Sequence, residues 1–141
     1  LIEGYAARLA AQRASPEDIE AIRAAYQGYE QVAETRDIRA LLRMDRAFHR
    51  ALAAACKNSQ IEQAAVRLHN NAARFWCFNI QRTTAERHKT QIEEHLKVVD
   101  AIEKRDLAEI DRILKGVLGH FPDSRFFLAD PISGDLPQAA E

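Results

Sequence analysis

Asp45 and His49 stand four residues apart in a stretch whose apolar residues recur at helical spacing. That spacing sets both side chains on one helical face, about one turn apart, together with Leu41, Leu42, Phe48 and Leu52. An apolar face turns inward and takes its polar members with it. A buried carboxylate without a partner costs roughly several kcal/mol, so the fold must supply one. His95 poses the same question on a second stripe, with Ile92, Val99 and Ile102. A carboxylate and imidazoles from different bundle helices commonly hold a divalent transition metal. The cation would neutralise Asp45, accept lone pairs from neutral His49 and His95, and keep positions open to water or a small anion. The residues alone leave the alternatives open, because an Asp–His hydrogen bond along a helix needs no metal.

Other side chains join this set with less definition. His120, one turn past Val117, reads as a further ligand or as an exposed histidine stabilised by the helix dipole. His69, near Ala65, Ala72 and Trp76, reads as lining the same cavity or as an ordinary half-buried histidine. His88, between Arg87 and Lys89, reads as solvated. Arg67 and Arg74 lie seven apart and so share a face; they could clamp a ligand carboxylate in bidentate fashion or form surface ion pairs.

Caps and apolar spacing predict an all-α fold, an antiparallel bundle of about six helices. The first covers Leu1 to Arg13. Ser15-Pro16-Glu17-Asp18 opens the second, running to Glu34 with Ile19, Ile22, Tyr26, Tyr29 and Ala33 inward. Asp37 caps a third, to Cys56, and Asn58 or Ser59 starts a fourth. The fourth ends in Phe75-Trp76-Cys77-Phe78, apolar all round, suiting core, a pocket wall or a subunit interface. Thr83 or Thr84 opens a fifth, to Lys104, and Asp106 caps a sixth, ending near Pro122. Residues 1–129 are expected to form one helical domain, and 130–141, with Pro131, Gly134 and Pro137, a flexible tail.

The bulk properties exclude several classes. With 47% hydrophobic and 29% charged residues the chain is neither disordered nor membrane-spanning, and a formal charge of −1 gives no basic footprint for nucleic acid. Cys56 and Cys77 have neither CxxC nor finger spacing and read as buried thiols of a reducing cytoplasm. There is no Gly-rich phosphate loop, GxSxG elbow or HExxH pair. The chain opens within a helical rhythm without an initiator Met, and is read as a fragment of something longer.

Three stretches, LIEGYAARLAAQRASPEDIEAI, MDRAFHRALAAACKN and EEHLKVVDAIEKRD, occur in an order and separation that resemble the FCD domain. This is the C-terminal effector-binding domain of FadR-type regulators in the GntR superfamily, and the likeness runs over about residues 1–121. The resemblance implies a helical bundle that forms a homodimer and binds a small carboxylate metabolite. It also implies that Asp45, His49 and His95 are ligands to a metal: zinc, nickel, manganese or iron. A last-helix histidine of the family falls here on Val117. His120 comes three residues later, about 60° around a helix and ~4.5 Å along it. DNA contact would belong to an N-terminal winged helix-turn-helix domain not present in this chain. The expected function is therefore ligand sensing in transcription regulation and not catalysis. A metal-dependent enzyme and a metal-free dimerisation or interaction bundle are the competing readings.

Overall fold

A computed structural model describes residues 2–80 and 83–119, except for the side chains at 74–79 and 117–119. These residues form seven helices: α1 (Ile2–Arg13), α2 (Pro16–Ala24), α3 (Tyr29–Glu34), α4 (Ile38–Ala55), α5 (Ser59–Asn79), α6 (Ala85–Glu103) and α7 (Leu107–Gly119). The fold is an all-α bundle, as the periodicity predicts. The expected tail at 130–141 and the end near Pro122 lie outside the described residues.

The helix starts follow the predicted capping chemistry. Ser15 Oγ accepts from the Asp18 N–H at 3.3 Å while the Asp18 carboxylate accepts from the Ser15 N–H at 2.8 Å, with Pro16 leading the helix. Asp37 accepts from the Ala40 N–H, Asn58 from those of Gln60 and Ile61, Thr84 from that of Arg87, and Asp106 from that of Glu109. Three of these caps share one turn. Arg36, Lys57 and Arg105 take left-handed backbone (φ 53°, 50° and 58°) directly before Asp37, Asn58 and Asp106. Each turn therefore closes one helix and caps the next within three residues.

The expected second helix divides into α2 and α3. At Tyr26, Gln27 and Tyr29 the backbone bonds shorten to the i−3 carbonyl, and Gly28 takes φ 76°. The break leaves Tyr26 only 3% exposed, with its ring stacked on Phe48 at 4.9 Å.

α1 is the element that lets the others meet. Ala6, Ala7, Ala10 and Ala11 are all buried, and these small side chains let α1 pack against α4, α5, α6 and α7. Phe48 on α4, Ile22 on α2, Val98, Val99 and Ile102 on α6 and Ile110 on α7 fill the centre. Cys56 is a buried free thiol, as expected; the side chain of Cys77 lies outside the described set. Among the described residues, no helix is long and apolar enough to cross a membrane.

Phe48 joins this core to the polar cluster described next. It is 1% exposed and lies flat against both Tyr26 and His95. Phe48→Ala is expected to lower stability by about 3–5 kcal/mol, the usual cost of emptying a buried aromatic site. Urea unfolding of the variant against the parent chain measures this; a loss below about 1 kcal/mol would show that the site collapses around the vacancy.

Candidate metal centre

α4 carries Asp45 and His49 one turn apart on the face that buries Leu41, Phe48 and Leu52. α6 brings His95 on the stripe of Ile92, Val99 and Ile102. The ligand atoms of Asp45, His49 and His95 lie within 4.8 Å of one another. The structure thus gathers the three residues singled out by spacing, and these residues could hold a metal ion.

Two further side chains complete the cluster. Glu3, from the first turn of α1, places Oε1 2.9 Å from His49 Nδ1 and 3.8 Å from His69 Nδ1. His69, from α5, reaches Asp45 Oδ2 with Nε2 at 3.3 Å, and its ring stacks on that of His49 with centroids 4.1 Å apart. Glu3, His49 and His69 form a second group whose donor atoms all lie within 4.8 Å. Glu3 escaped the sequence reading, although a signal was present: it heads the stripe Ala6, Ala7, Ala10, at i+3, i+4 and i+7, which turns inward. Tyr26 was read only as core, yet its hydroxyl lies 2.7 Å from His95 Nδ1, leaving Nε2 as the ring nitrogen for another partner.

The remaining candidates distribute differently. Arg67 is exposed on α5, and the side chain of Arg74 lies outside the described residues, as does His120. Val117 falls within α7, its side chain likewise outside the described set. His88 corrects an expectation: it is 4% exposed, not solvated. Its charged neighbours Arg87 and Lys89 point about 100° to either side, whereas His88 lies on the inward stripe of Ile92, His95 and Val99. It lines a cavity of about 30 Å³ beside the cluster, with Tyr26, Leu41, Asp45, Gln91 and His95.

Burial and charge set the cluster's protonation. Burial opposes ionisation of Asp45, but the close His49 and His69 rings and the charge on His49 outweigh it and hold the carboxyl well below its usual range. Glu3 is lowered the same way, its burial overcome chiefly by His49. Burial also opposes the charged form of His49, yet Asp45 and Glu3 on either side raise it to about 10. His95, stacked on apolar rings, is pushed down to about 4 by burial and then by the charge of His49. One imidazole is thus held cationic and its neighbour neutral.

The contacts inside the cluster are close but poorly aimed. Among the described residues, His49 Nδ1 and His69 Nε2 are buried without a hydrogen-bond partner, although carboxylate oxygens lie 2.9 and 3.3 Å away. The oxygens sit off the ring N–H axes, so these pairs have the distance of a hydrogen bond without its direction. Buried imidazole nitrogens beside carboxylates, in mixed N/O composition, fit a divalent transition metal.

The described residues thus form an all-α bundle with a cluster of ionisable side chains beside a small cavity. The family model of the FCD domain matches residues 1–120, and the chain belongs to that family. FCD domains are the ligand-sensing parts of GntR-type transcription regulators. No curated protein and no solved structure matches the chain.

The protonation pattern sets a pH profile for the metal-free protein. His49, raised from 6.5 to about 10, contributes stability that is full below pH 6.5 and lost as pH climbs through 10. His95, lowered from 6.5 to about 4, contributes stability present above 6.5 and lost as pH falls through 4. Asp45 and Glu3, both depressed, add to the acid-side loss. Melting temperature in the presence of a chelator is therefore expected to peak near pH 6.5 and decline on both sides. A flat profile from pH 6.5 to 9 would contradict the charged state of His49.

Proposed function

We propose that this chain is the effector-sensing domain of a GntR-type regulator that holds a divalent transition metal on Asp45, His49 and His95 and uses it to bind a small organic acid. The observation that carries this reading is the convergence of these three donors within 4.8 Å, inside a chain of the FCD family. The metal, when bound, would supply a Lewis-acidic position for a carboxylate oxygen. Zinc, nickel, manganese and iron all suit two imidazoles and a carboxylate.

The chain's own residues prepare that chemistry. Asp45 offers an ionised carboxylate. Tyr26 engages Nδ1 of His95, which orients the ring and leaves Nε2 for the metal. His49 must surrender a proton before it can ligate. The adjoining cavity, with His88 Nε2 buried and unpartnered among the described residues and Gln91 beside it, supplies polar contacts for the rest of the acid. Its volume of about 30 Å³ has room for a water or two but not for an organic acid. Effector binding therefore spreads Leu41 and Asp45 on α4 from His88 and His95 on α6. That displacement gives an effector a means of favouring one arrangement of the domain over another. We place this domain in a cytoplasmic homodimer, with a separate winged helix-turn-helix domain contacting DNA.

Removal of the central carboxylate tests the metal. Asp45→Ala is expected to lose the zinc or nickel that the parent chain retains after dialysis, as read by elemental analysis; equal metal in both would exclude Asp45 as a required ligand. Calorimetry in buffers of differing ionisation enthalpy should show about one proton released per metal bound near pH 7.5, the proton of His49. A panel of organic acids, screened by thermal shift with and without metal, tests sensing. An acid present at 100 times its Kd should stabilise the metal-loaded domain by about 2.7 kcal/mol. No shift across a broad panel would remove the effector from this proposal.

A further inference from the structure

We infer that His69 supplies a third imidazole to the metal centre, from α5 instead of the last helix, while Glu3 holds the opposite edges of the His49 and His69 rings. This inference rests on the metal reading above and deepens it.

The geometry is a ladder with two rungs. The His49 and His69 rings lie side by side, 4.1 Å between centroids and 26° between planes. Both point the same way. Their Nδ1 atoms face Glu3 Oε1, at 2.9 and 3.8 Å, and their Nε2 atoms face the two oxygens of Asp45, at 3.5 and 3.3 Å. A neutral imidazole offers a metal one lone pair and keeps its proton on the other nitrogen. Two rings sharing one orientation therefore present two lone pairs at one end and two N–H groups at the other. His95 shares a group within 4.8 Å with Asp45 and His49, and His69 reaches the other oxygen of Asp45, so the proposed set is one carboxylate and three imidazoles. The Glu3 end sets a carboxylate 2.9 Å from His49 Nδ1, off its N–H axis, and 3.8 Å from His69 Nδ1, beyond hydrogen-bond length, so Glu3 would act on these rings as a charged outer partner.

His69 has no other evident occupation. Its side chain is 9% exposed, and its Nε2 is buried with no hydrogen-bond partner among the described residues. A packing histidine would turn that nitrogen to water or to a carbonyl. Val117, which stands on α7 where the resemblance places a last-helix ligand, has no lone pair to give. His69 reaches the same carboxylate from α5.

Co(II) titration of the metal-free protein tests this, with affinity and visible spectrum read for the parent chain and for His69→Gln, Glu3→Gln and His120→Gln. His69→Gln is expected to weaken Co(II) by more than about 100-fold and to alter the ligand-field bands. Glu3→Gln should weaken it by ~10–100-fold with the bands retained, as for loss of an outer partner. A parent chain that binds neither Co(II) nor Zn(II) would overturn the metal reading and this inference with it. A parent chain that binds, alongside His69→Gln of equal affinity and spectrum, would overturn this inference alone. Loss in His120→Gln without loss in His69→Gln would do the same, as would retention in Asp45→Asn with abolition in Glu3→Gln. If His69→Gln fails to fold, X-ray absorption of the zinc-loaded parent chain and of His120→Gln decides. Three imidazoles in both support the inference, and two in either overturn it.

Discussion

Five ionisable side chains, Glu3, Asp45, His49, His69 and His95, meet inside a small bundle, the imidazoles largely buried and the two carboxylates reaching in from partial exposure, and much of the architecture answers that constraint. None of them could be buried alone at modest cost. Gathered from α1, α4, α5 and α6, they offset one another's desolvation by opposite charge and by sharing protons. The approach of α1 is what makes this feasible. Its inward face is built of alanine, so its backbone comes near enough for a short glutamate side chain to reach two imidazoles. Bulkier residues at Ala6, Ala7 or Ala10 would hold Glu3 away and leave His49 with one carboxylate instead of two.

The same cluster shows how surroundings divide identical side chains. His49 and His95 have ring centroids 5.1 Å apart, yet their proton affinities are moved in opposite directions. His49 lies between two carboxylates. His95 lies against the faces of Phe48 and Tyr26 and touches a phenol hydroxyl at its Nδ1. Aromatic faces stabilise a ring but solvate a charge poorly compared with water, whereas carboxylates favour the cation. The pair thus joins a neutral imidazole to a cationic one.

A cavity of about 30 Å³ lies beside this cluster. Its walls come from α4 and α6, the helices that carry Asp45 and His95, so one movement alters both the pocket and the spacing of the donors. His88 also lines that cavity, one helical turn before Ile92 and two before His95 on the same stripe of α6.

Helix starts were legible in the sequence because capping is a local transaction. Ser15 with Asp18, Asp37, Asn58, Thr84 and Asp106 act within three residues of themselves, and each start stands where its cap implied. Asp45, His49 and His95 were legible for a related reason: periodicity shows which polar residues share a face with apolar ones. The break at Gly28 was not legible, since only the packing of Tyr26 against Phe48 and His95 favours a turn over a continued helix. His88 was misjudged because its flanking charges were weighed above its place on the stripe. His69 was read from spacing as lining the same cavity or as half-buried, and Glu3 was passed over, because spacing shows which faces turn inward and not which of them meet. The sequence by itself determined the helices, the inward faces and three of the five clustered side chains, all products of short-range steric and hydrogen-bonding rules. Which inward faces meet, and so which carboxylate stands beside which imidazole, was decided only by tertiary packing, because contact between distant helices depends on the shapes that fill the space between them.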